Sequence, residues 1–491
     1  MCSLRSRILK ILNFTLSFFI LIFDFYIRRK QSMKCLYKQL KSDNRGTALL
    51  FALIFGSIAF TLIVVGVTGY AILENRASVH KHNREMAFQI SEAGVNYYRW
   101  HLAHNKTDYQ DGTGVAGPYV HDYKDKDGLT IGHYSLNIIP PVSGSTVVTI
   151  ESTGWLDIQP DSKRTLKVRI GFPALTDYAY LTNVDIWMGD MEQVHGKMHA
   201  NGGVRFDGTT DAAITSAVPT YICKEYHGCG NQEKPGIWGD GTPEDLWQFP
   251  EPAQDFSRVT ASLAEIKREA ESGGVYLHSS GKQGYRIEFR SDGKINVYKV
   301  NSTEPNFGQD FWGNGHVQMG WFSVDIAGTD EAVVYDMPAN GYIYVEDTVW
   351  VDGVVNGRAS LGTSDGKSII INGNLVYLAK DGYNTLGLIS QKDILLPYHC
   401  TNYLEIDAAM LAQTGAIKRY FYMGNKCESI TVYGSIISAD VWTFAWVSGG
   451  GSIVSGYKNT NTTYDSNLSY NPPPGFPVGS EYNLVSWEEV K

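Results

Sequence analysis

The sequence predicts a mainly β protein that begins with one long α-helix, continues into a small sheet and ends in a large β-solenoid-like (parallel β-helix) domain. Three observations lead to this fold class. Residues 47–73 carry no charge, and helical periodicity continues after them. Short runs of alternating apolar and polar residues follow. The composition, with 50 Gly, 30 Tyr and 11 Trp, suits strands and turns. A β-sandwich is the alternative for the large domain.

The N-terminal helix is predicted over residues 47–104. Its first part, Thr47–Leu73, would be about 40 Å long, enough to cross the roughly 30 Å hydrocarbon core of a bilayer. From Glu74 to Trp100 apolar residues recur among polar ones without a proline, which indicates a helix with one face on a folded domain. The apolar positions of this periodic pattern, which starts just before Glu74, are Ile72, Val79, Met86, Phe88, Ile90, Ala93 and Tyr97.

Charge is distributed unevenly along the chain. Residues 1–46 carry ten Lys and Arg against two acidic residues, whereas the rest carries 32 basic and 49 acidic side chains. A basic segment before a membrane span predicts a cytoplasmic N-terminus and an extracytoplasmic body. The acidic body argues against nucleic acid as the main partner, because phosphate binding requires a basic surface.

The segment before the helix has two possible origins. Residues 8–27 form another apolar stretch, which Asp24 interrupts, and Met33 begins a short basic segment, 33–46. We interpret residues 1–32 as a mis-assigned translation start, so that the protein begins at Met33. The alternative is a genuine additional span in residues 1–32, with the basic residues that follow it in the cytoplasm.

The junction between the basic segment and the apolar run resembles the class III signal of type IV prepilins. Arg45-Gly46 ends a short basic leader, and the uncharged helix follows at once. The resemblance implies that a prepilin peptidase cuts between Gly46 and Thr47, leaving a mature helix that begins in inner-membrane lipid. An ordinary secretory signal is instead cut after its apolar stretch.

Two further features resemble PilX-type minor pilins. The fifth mature residue is Phe51, whereas repeating pilin subunits carry a glutamate there that pairs with the terminal amine of a neighbour. The second half of the helix carries the element AFxxSEAG at residues 87–94. The resemblance implies other pilin subunits as partners through the helix. A simple signal anchor holding an unrelated domain is the alternative.

Beyond the helix, residues 105–175 are predicted to form the small β domain and residues 176–491 the large extracytoplasmic one. The alternating runs of the first region are typical of a half-buried antiparallel sheet. In the second region a motif of an aliphatic residue, any residue, Gly, any residue and an apolar residue recurs. It is centred on Gly196, Gly353, Gly373 and Gly434, and the Gly353–Gly373 interval suits one coil of a parallel β-helix.

The large region also contains a predicted helix and a stiff tail. Residues 255–274 have helical spacing that Gly273 can close, and Ser291–Gly293 predicts a hairpin turn. Several segments of this region resemble the large domain of unknown function attached to PilX-type N-termini: residues 194–208, 255–270, 386–395 and 404–415, and the tail with its proline-rich segment 472–477 and Trp487. The resemblance implies a surface or pilus-associated role.

Four of the six cysteines lie in the body: Cys223, Cys229, Cys400 and Cys427. Their even number outside the cytoplasm predicts two disulfides, with Cys223–Cys229 and Cys400–Cys427 preferred among three connectivities. Unpaired thiols are the alternative. No metal, cofactor or catalytic site is predicted. His195 and His199 would stand too far apart on one strand to share a metal, although a turn between them could bring them together.

These observations predict a minor pilin or pseudopilin-like component of a type IV pilus or related secretion filament. It would be a single-pass inner-membrane protein with an extracytoplasmic body, reaching the cell surface or pilus after assembly, and acting in assembly or adhesion. The alternative function is a membrane-anchored surface protein that binds or cleaves carbohydrate on a β-helix. A surface carbohydrate or protein is the expected ligand class, and catalysis is not required.

Overall fold

The structure is a computed structural model that describes residues 45–142, 145–256, 258–312, 316–448, 452–479 and 481–490. The predicted upstream segment, 1–32, and residues 33–44 of the predicted leader lie outside the described residues. Helix α1 runs over Arg45–His104. The chain divides after Asn83 into two compact units, which are described separately.

A small antiparallel sheet follows the helix. Its strands pair in chain order and are joined at one edge by the strand Asn483–Val490, from the end of the chain. The sequence analysis assigned that last strand to the large domain. In the structure it belongs to the small sheet, which therefore combines strands that precede and a strand that follows the large β region. The first four strands are β1 Tyr119–Lys124, β2 Thr130–Ile139, β3 Val147–Leu156 and β4 Gln159–Gly171.

The second half of α1 packs closely on this sheet. Glycine is required on both sides: a Cβ added at Gly154 of β3 would lie 2.4 Å from the Ala87 carbonyl oxygen, and one at Gly94 would lie 2.3 Å from Ser152 Oγ. The buried helix positions follow helical spacing: Ala87, Ile90, Ser91, Gly94, Val95, Tyr98 and Leu102. Of the apolar positions given above, Ile72 and Val79 are exposed instead.

Short strands and turns occupy residues 175–256. Three-residue helical turns are Leu175–Asp177, Glu225–His227 and Glu244–Leu246. The strands are β5 Tyr180–Thr182, β6 Ile186–Met188, β7 Gln193–His195, β8 Met198–Ala200, β9 Val204–Phe206, β10 Thr209–Thr210, β11 Ile214–Ser216, β12 Thr220–Cys223, β13 Gln232–Pro235, β14 Ile237–Trp238 and β15 Trp247–Gln248.

Helix α2, Arg258–Gly273, separates these strands from a longer series. The series comprises β16 Val275–Leu277, β17 Gly284–Phe289, β18 Lys294–Trp312, β19 His316–Thr329, β20 Val333–Asp336, β21 Tyr342–Val345, β22 Val349–Val355, β23 Arg358–Thr363, β24 Ile369–Tyr377, β25 Thr385–Ser390, β26 Ile394–Leu396, β27 Tyr403–Ala412, β28 Ile417–Arg419, β29 Lys426–Ser438, β30 Ala445–Val447 and β31 Ile453–Tyr464. The turn Ser466–Ser469 and β32, Asn483–Val490, complete the chain.

Most of these strands stack in parallel ladders. The first ladder is β16-β21-β23-β25-β27-β29-β5-β8-β11-β15. A second joins β17, β22, β24, β26 and β28, and a third joins the later half of β22 to β24, β27, β29, β31, β7 and β10. Chain segments therefore pass from ladder to ladder in successive coils, a solenoid-like arrangement rather than the antiparallel sheets of a sandwich.

The order of coils does not follow the order of the chain. Residues 180–248 build one end of the stack, α2 intervenes, and residues 275–464 build the rest and return to the starting point. There β29 pairs with β5 and β31 with β7, with Ile436 beside Tyr180 and Thr462 beside Val194. We call this junction the seam. Only non-covalent pairing between segments distant in sequence holds it.

The core lies between the ladders. Side chains on the inner side of the first ladder form a continuous apolar column, because parallel strands in register place like positions side by side. Nearly all are fully buried, and their order is Val275, Ile343, Leu361, Leu388, Met410, Ile436, Tyr180, Met198 and Ile214.

Two other segments cover outer faces. Leu263 and Ile266 of α2, with Phe476 of the proline-rich tail, pack on the outer side of the first ladder. The long hairpin β18–β19 covers the outer side of the second ladder, where Trp350 is buried and donates from Nε1 to the Val324 carbonyl oxygen. The predicted helix, with Gly273 at its end, is confirmed. The predicted turn at Ser291–Gly293 also joins the two strands β17 and β18.

Glycines of the recurring motif lie where the backbones of adjacent coils approach each other closely. Gly353 and Gly434 have φ of +110° and +151°, and an added Cβ would lie within about 2 Å of a carbonyl oxygen on the adjacent coil. Gly196 has φ of +124° and faces Tyr464 across the seam. Gly373 differs, since its nearest contact is at 3.7 Å and its φ is ordinary. The fold class, a long helix followed by a mainly β domain, is confirmed.

One carboxyl group is buried at the seam. Glu192 precedes β7, its side chain bonds Thr460, and its Oε2 has no hydrogen-bond partner among the described residues. Burial raises the pKa of Glu192 to about 8. The neighbouring Tyr180 hydroxyl bonds Thr462 Oγ1. A neutral carboxylic acid therefore fits this position better than a carboxylate.

We predict that Gly154→Ala destabilises the full chain by about 1–3 kcal/mol, because its new methyl group meets helix backbone that cannot move aside. Denaturant unfolding in detergent measures the change. Gly320→Ala is the matched control: it is also a strand glycine, but nothing lies within 4 Å of its added Cβ. Equal stability of the two variants would contradict the close helix–sheet contact.

Stability should fall as pH rises from about 4.5 to about 8 on account of Glu192. In that window the unfolded chain loses the proton while the folded chain keeps it, so ionisation favours unfolding. Glu192→Gln removes this slope, and the variant should exceed the parent at pH 8 by an amount on the order of a few kcal/mol. Denaturant unfolding at both ends of the window, with exposed Glu405→Gln as control, tests this. An unchanged slope in Glu192→Gln would refute it.

Candidate functional site

The first part of α1 presents an uncharged apolar surface. This segment is long and apolar enough to cross a membrane, and none of its most apolar stretch is buried by the described protein. Phe51 and Phe55 are 73% and 76% exposed. Large side chains exposed in the same way are Leu49, Leu50, Leu53, Ile54, Ile58, Phe60, Leu62, Ile63, Val64, Val65, Val67, Tyr70, Ile72 and Leu73.

Two hydroxyl groups of this segment are satisfied inside the helix. Ser57 Oγ donates to the Ile54 carbonyl oxygen at 2.8 Å, and Thr61 Oγ1 donates to that of Ser57 at 2.7 Å. The backbone is helical throughout, so the N–H and C=O groups beyond the first turn pair internally, as a lipid environment demands. The interior of this helical segment is therefore compatible with hydrocarbon or with packing on other helices.

Charged residues flank the apolar surface at both of its ends. Arg45 precedes it, and Glu74 and Arg76 are the first charged residues after it. An apolar face of this extent is unusual on a soluble protein and marks a surface that contacts lipid or another protein. The helix thus suits a membrane-anchored protein.

The predicted processing residues begin this helix. Gly46 and Thr47 lie in the first turn of α1 and are both exposed, and nothing stands within 4 Å of a Cβ added at Gly46. Phe51 lies one turn further along the same exposed surface. The cleavage itself stays a prediction.

The structure joins Cys223 to Cys229 and Cys400 to Cys427, with Cα–Cα distances of 5.8 and 6.4 Å. The first disulfide closes the loop after β12. The second ties the segment before β27 to β29 and so links successive coils. Both disulfides belong to the β scaffold.

A polar cleft of about 270 Å³ opens on the outer side of the first ladder. His199 forms part of its floor and is 1% exposed. Its Nε2 lies 3.1 Å from Asn201 Oδ1 and its Nδ1 lies 2.7 Å from Thr215 Oγ1, while burial lowers its pKa. His195 instead pairs with Asp211, so the two histidines face different partners. The cleft is lined by Tyr178, Lys197, Met198, His199, Ala213, Thr215, Gln248, Glu251, Pro252 and Gln254.

Sequence reasoning found the apolar helix and missed this cleft. Tyr178, Thr215 and Glu251 come from separate coils, and no local spacing connects them. A turn at Gly196 separates β7, which ends at His195, from β8, which contains His199. The turn does not bring the two histidines to a common partner. No group of three potential metal-ligating side chains is found in the part of the chain that the structure describes.

Removing the Cys400–Cys427 disulfide should destabilise the protein more than removing Cys223–Cys229. In the chain-entropy model, the 27-residue separation corresponds to about 3–4 kcal/mol and the 6-residue separation to about 2 kcal/mol. Paired Cys→Ser variants, compared by denaturant unfolding under non-reducing conditions, measure both. The reverse order of stability would show that loop closure is not the controlling effect.

No protein-family model matches the chain, and no curated protein matches it. Among solved structures, the chain is similar to the crystal structure of the competence-associated pilin ComZ from Thermus thermophilus, with 14% sequence identity and a TM-score of 0.29. The alignment covers 83% of this chain and 97% of that chain. At this TM-score the likeness supports no functional conclusion.

Proposed function

We propose that the protein is a minor-pilin-like subunit of a type IV pilus or related secretion filament. The observation that carries the proposal is the composition of α1: an exposed, uncharged apolar part and a part packed on an antiparallel sheet belong to one uninterrupted helix. The first part would lie in inner-membrane lipid before assembly. In the filament it would pack against the helices of other pilin subunits.

Processing between Gly46 and Thr47 by a prepilin peptidase is part of this proposal. The basic leader would remain cytoplasmic, and cleavage would free an amine at the start of the apolar helix. Phe51 cannot form an ion pair with the amine of a neighbouring subunit. We therefore assign the chain to a minor position rather than to the repeating shaft.

The large β region supports the same assignment. Residues 175–479 contain the large β region, which is attached to the small sheet through both of its chain connections, before β5 and before β32. A body of this size suits a tip or surface position better than close repetition along a shaft. Its role there would be filament assembly or adhesion.

A non-catalytic role is proposed for the body. Cleavage of a glycosidic bond by paired carboxylates needs two such groups flanking one site. Among the described residues that line the cleft over His199, Glu251 is the one carboxylate, and the nearby Asp177 is ion-paired with Lys197 at 2.8 Å. Carbohydrate binding, the alternative role, is supported by this cleft and is developed below.

The test is the N-terminus of the mature protein, read by mass spectrometry in membrane and filament fractions. We expect a chain that begins at Thr47. Gly46→Val should leave the leader attached and keep the protein out of filaments, because the residue before the cut is changed. Gly56→Val is the matched control, since Gly56 is an equally open glycine of the same helix.

An uncut N-terminus in the parent protein, with the chain confined to membranes, would overturn the filament proposal. It would leave a signal-anchored surface protein. Cleavage at Thr47 without recovery in filaments would separate processing from assembly and would restrict the role to the membrane.

A further inference from the structure

The cleft over His199 lies where the outward side chains of the first ladder change from apolar to polar. Outward positions on neighbouring strands stack in register, and Leu411, Ile437 and Leu181 are buried beneath the covering segments. On the next three strands this outward column becomes polar and ends in an open cleft. Its polar members are His199, Thr215 and Gln248.

The floor and one wall of the cleft are held firmly. Asn201 accepts from the Gln254 backbone N–H at 2.8 Å and donates to the Gln254 carbonyl oxygen at 2.8 Å, which fixes the wall formed by residues 251–254. The Glu251 N–H donates to the Ser216 carbonyl oxygen at 2.8 Å. His199 uses both ring nitrogens within the floor. The hollow is therefore preformed rather than a gap between mobile loops.

Three polar groups that line the cleft make no side-chain hydrogen bond among the described residues: the Tyr178 hydroxyl, the Gln248 amide and the Glu251 carboxylate, whose charge acts on Tyr178 and His199. The Tyr178 ring lies 5.8 Å from that of His199 and supplies an apolar surface beside these groups. Together they offer both donors and acceptors around one aromatic face. A ligand that displaces water here must replace hydrogen bonds in several directions.

The charge balance limits the ligand class. Lys197 lines the cleft but is ion-paired with Asp177 at 2.8 Å, which makes its charge less available to a phosphate or a carboxylate. Glu251 repels anions, and the polar floor disfavours a purely apolar ligand. The volume of about 270 Å³ lies just below the roughly 300–1,000 Å³ typical of small-molecule sites.

We propose that this cleft binds one unit of a neutral saccharide. Hydroxyl groups would bond Gln248 and Glu251, and the apolar face of the sugar ring would contact Tyr178. The open side of the cleft would allow a longer glycan to continue along the surface. This site gives the body an adhesive ligand, and it does not depend on the filament role.

The experiment is calorimetric titration of the full chain, in a detergent without a sugar head group, with uncharged hexasaccharides of β-1,4-glucose, β-1,4-N-acetylglucosamine and α-1,4-glucose. An oligogalacturonate of equal length is the charged comparison. We expect at least one neutral hexasaccharide to bind, with Kd below about 10 mM, and the acidic one not to bind.

Gln248→Ala combined with Glu251→Ala should weaken that binding about tenfold or more, since both hydrogen-bonding groups are lost. Both positions are exposed, so the fold is expected to persist, and an unchanged unfolding midpoint verifies this. Gln193→Ala, an exposed glutamine on the third ladder, is the matched control and should bind as the parent does.

Absence of binding by every neutral hexasaccharide, or binding that the double substitution leaves unchanged, would overturn the proposal. Preferential binding of the acidic oligosaccharide would also overturn it. Because the titration does not involve processing or assembly, its failure is distinguishable from failure of the filament proposal, which the mature N-terminus decides.

Discussion

Backbone hydrogen bonds at the seam join residues 436–438 to residues 180–182 and residues 461–463 to residues 193–195. The large β region depends on this pairing, because the coils on either side reach the seam from different directions along the chain. Without it, the inner column would break between Ile436 and Tyr180 and leave apolar faces open to water. The seam also buries Glu192, so stability there is coupled to protonation of one carboxyl group.

The position of the seam explains how the chain can leave the small sheet, form the large β region and return to the small sheet. The chain leaves the small sheet at β4, enters the middle of the stack, and returns from the middle of the stack to add β32 beside β4. The connection from β4 to β5 and the connection from β31 to β32 therefore lie next to each other. The helix α1 is fixed to the sheet by close glycine contacts, and its apolar part continues the same helix. Sheet and body are thus joined both by chain connections and by hydrogen bonds.

Much of this could be predicted from local pattern. The uncharged run 47–73 and the periodicity after it predict α1, because helix formation and membrane burial depend on residues close in sequence. The strands of the small sheet, α2 and the hairpin turn near Gly293 were found for the same reason. The glycine motif was also recognised, although Gly373 lacks the crowded contact of Gly353 and Gly434.

The sequence by itself determined the long apolar helix and the mainly β character of the rest, since both are encoded in composition or short-range spacing. It left three pairings of the four body cysteines open, and the structure decided between them. Tertiary structure alone decided the coil order, the seam, the return of β32 to the small sheet and the cleft over His199. These features arise from pairing between segments far apart in the chain, and strand register between such segments leaves no periodic signal in either one. The polar groups of the cleft over His199 converge only after several coils have stacked.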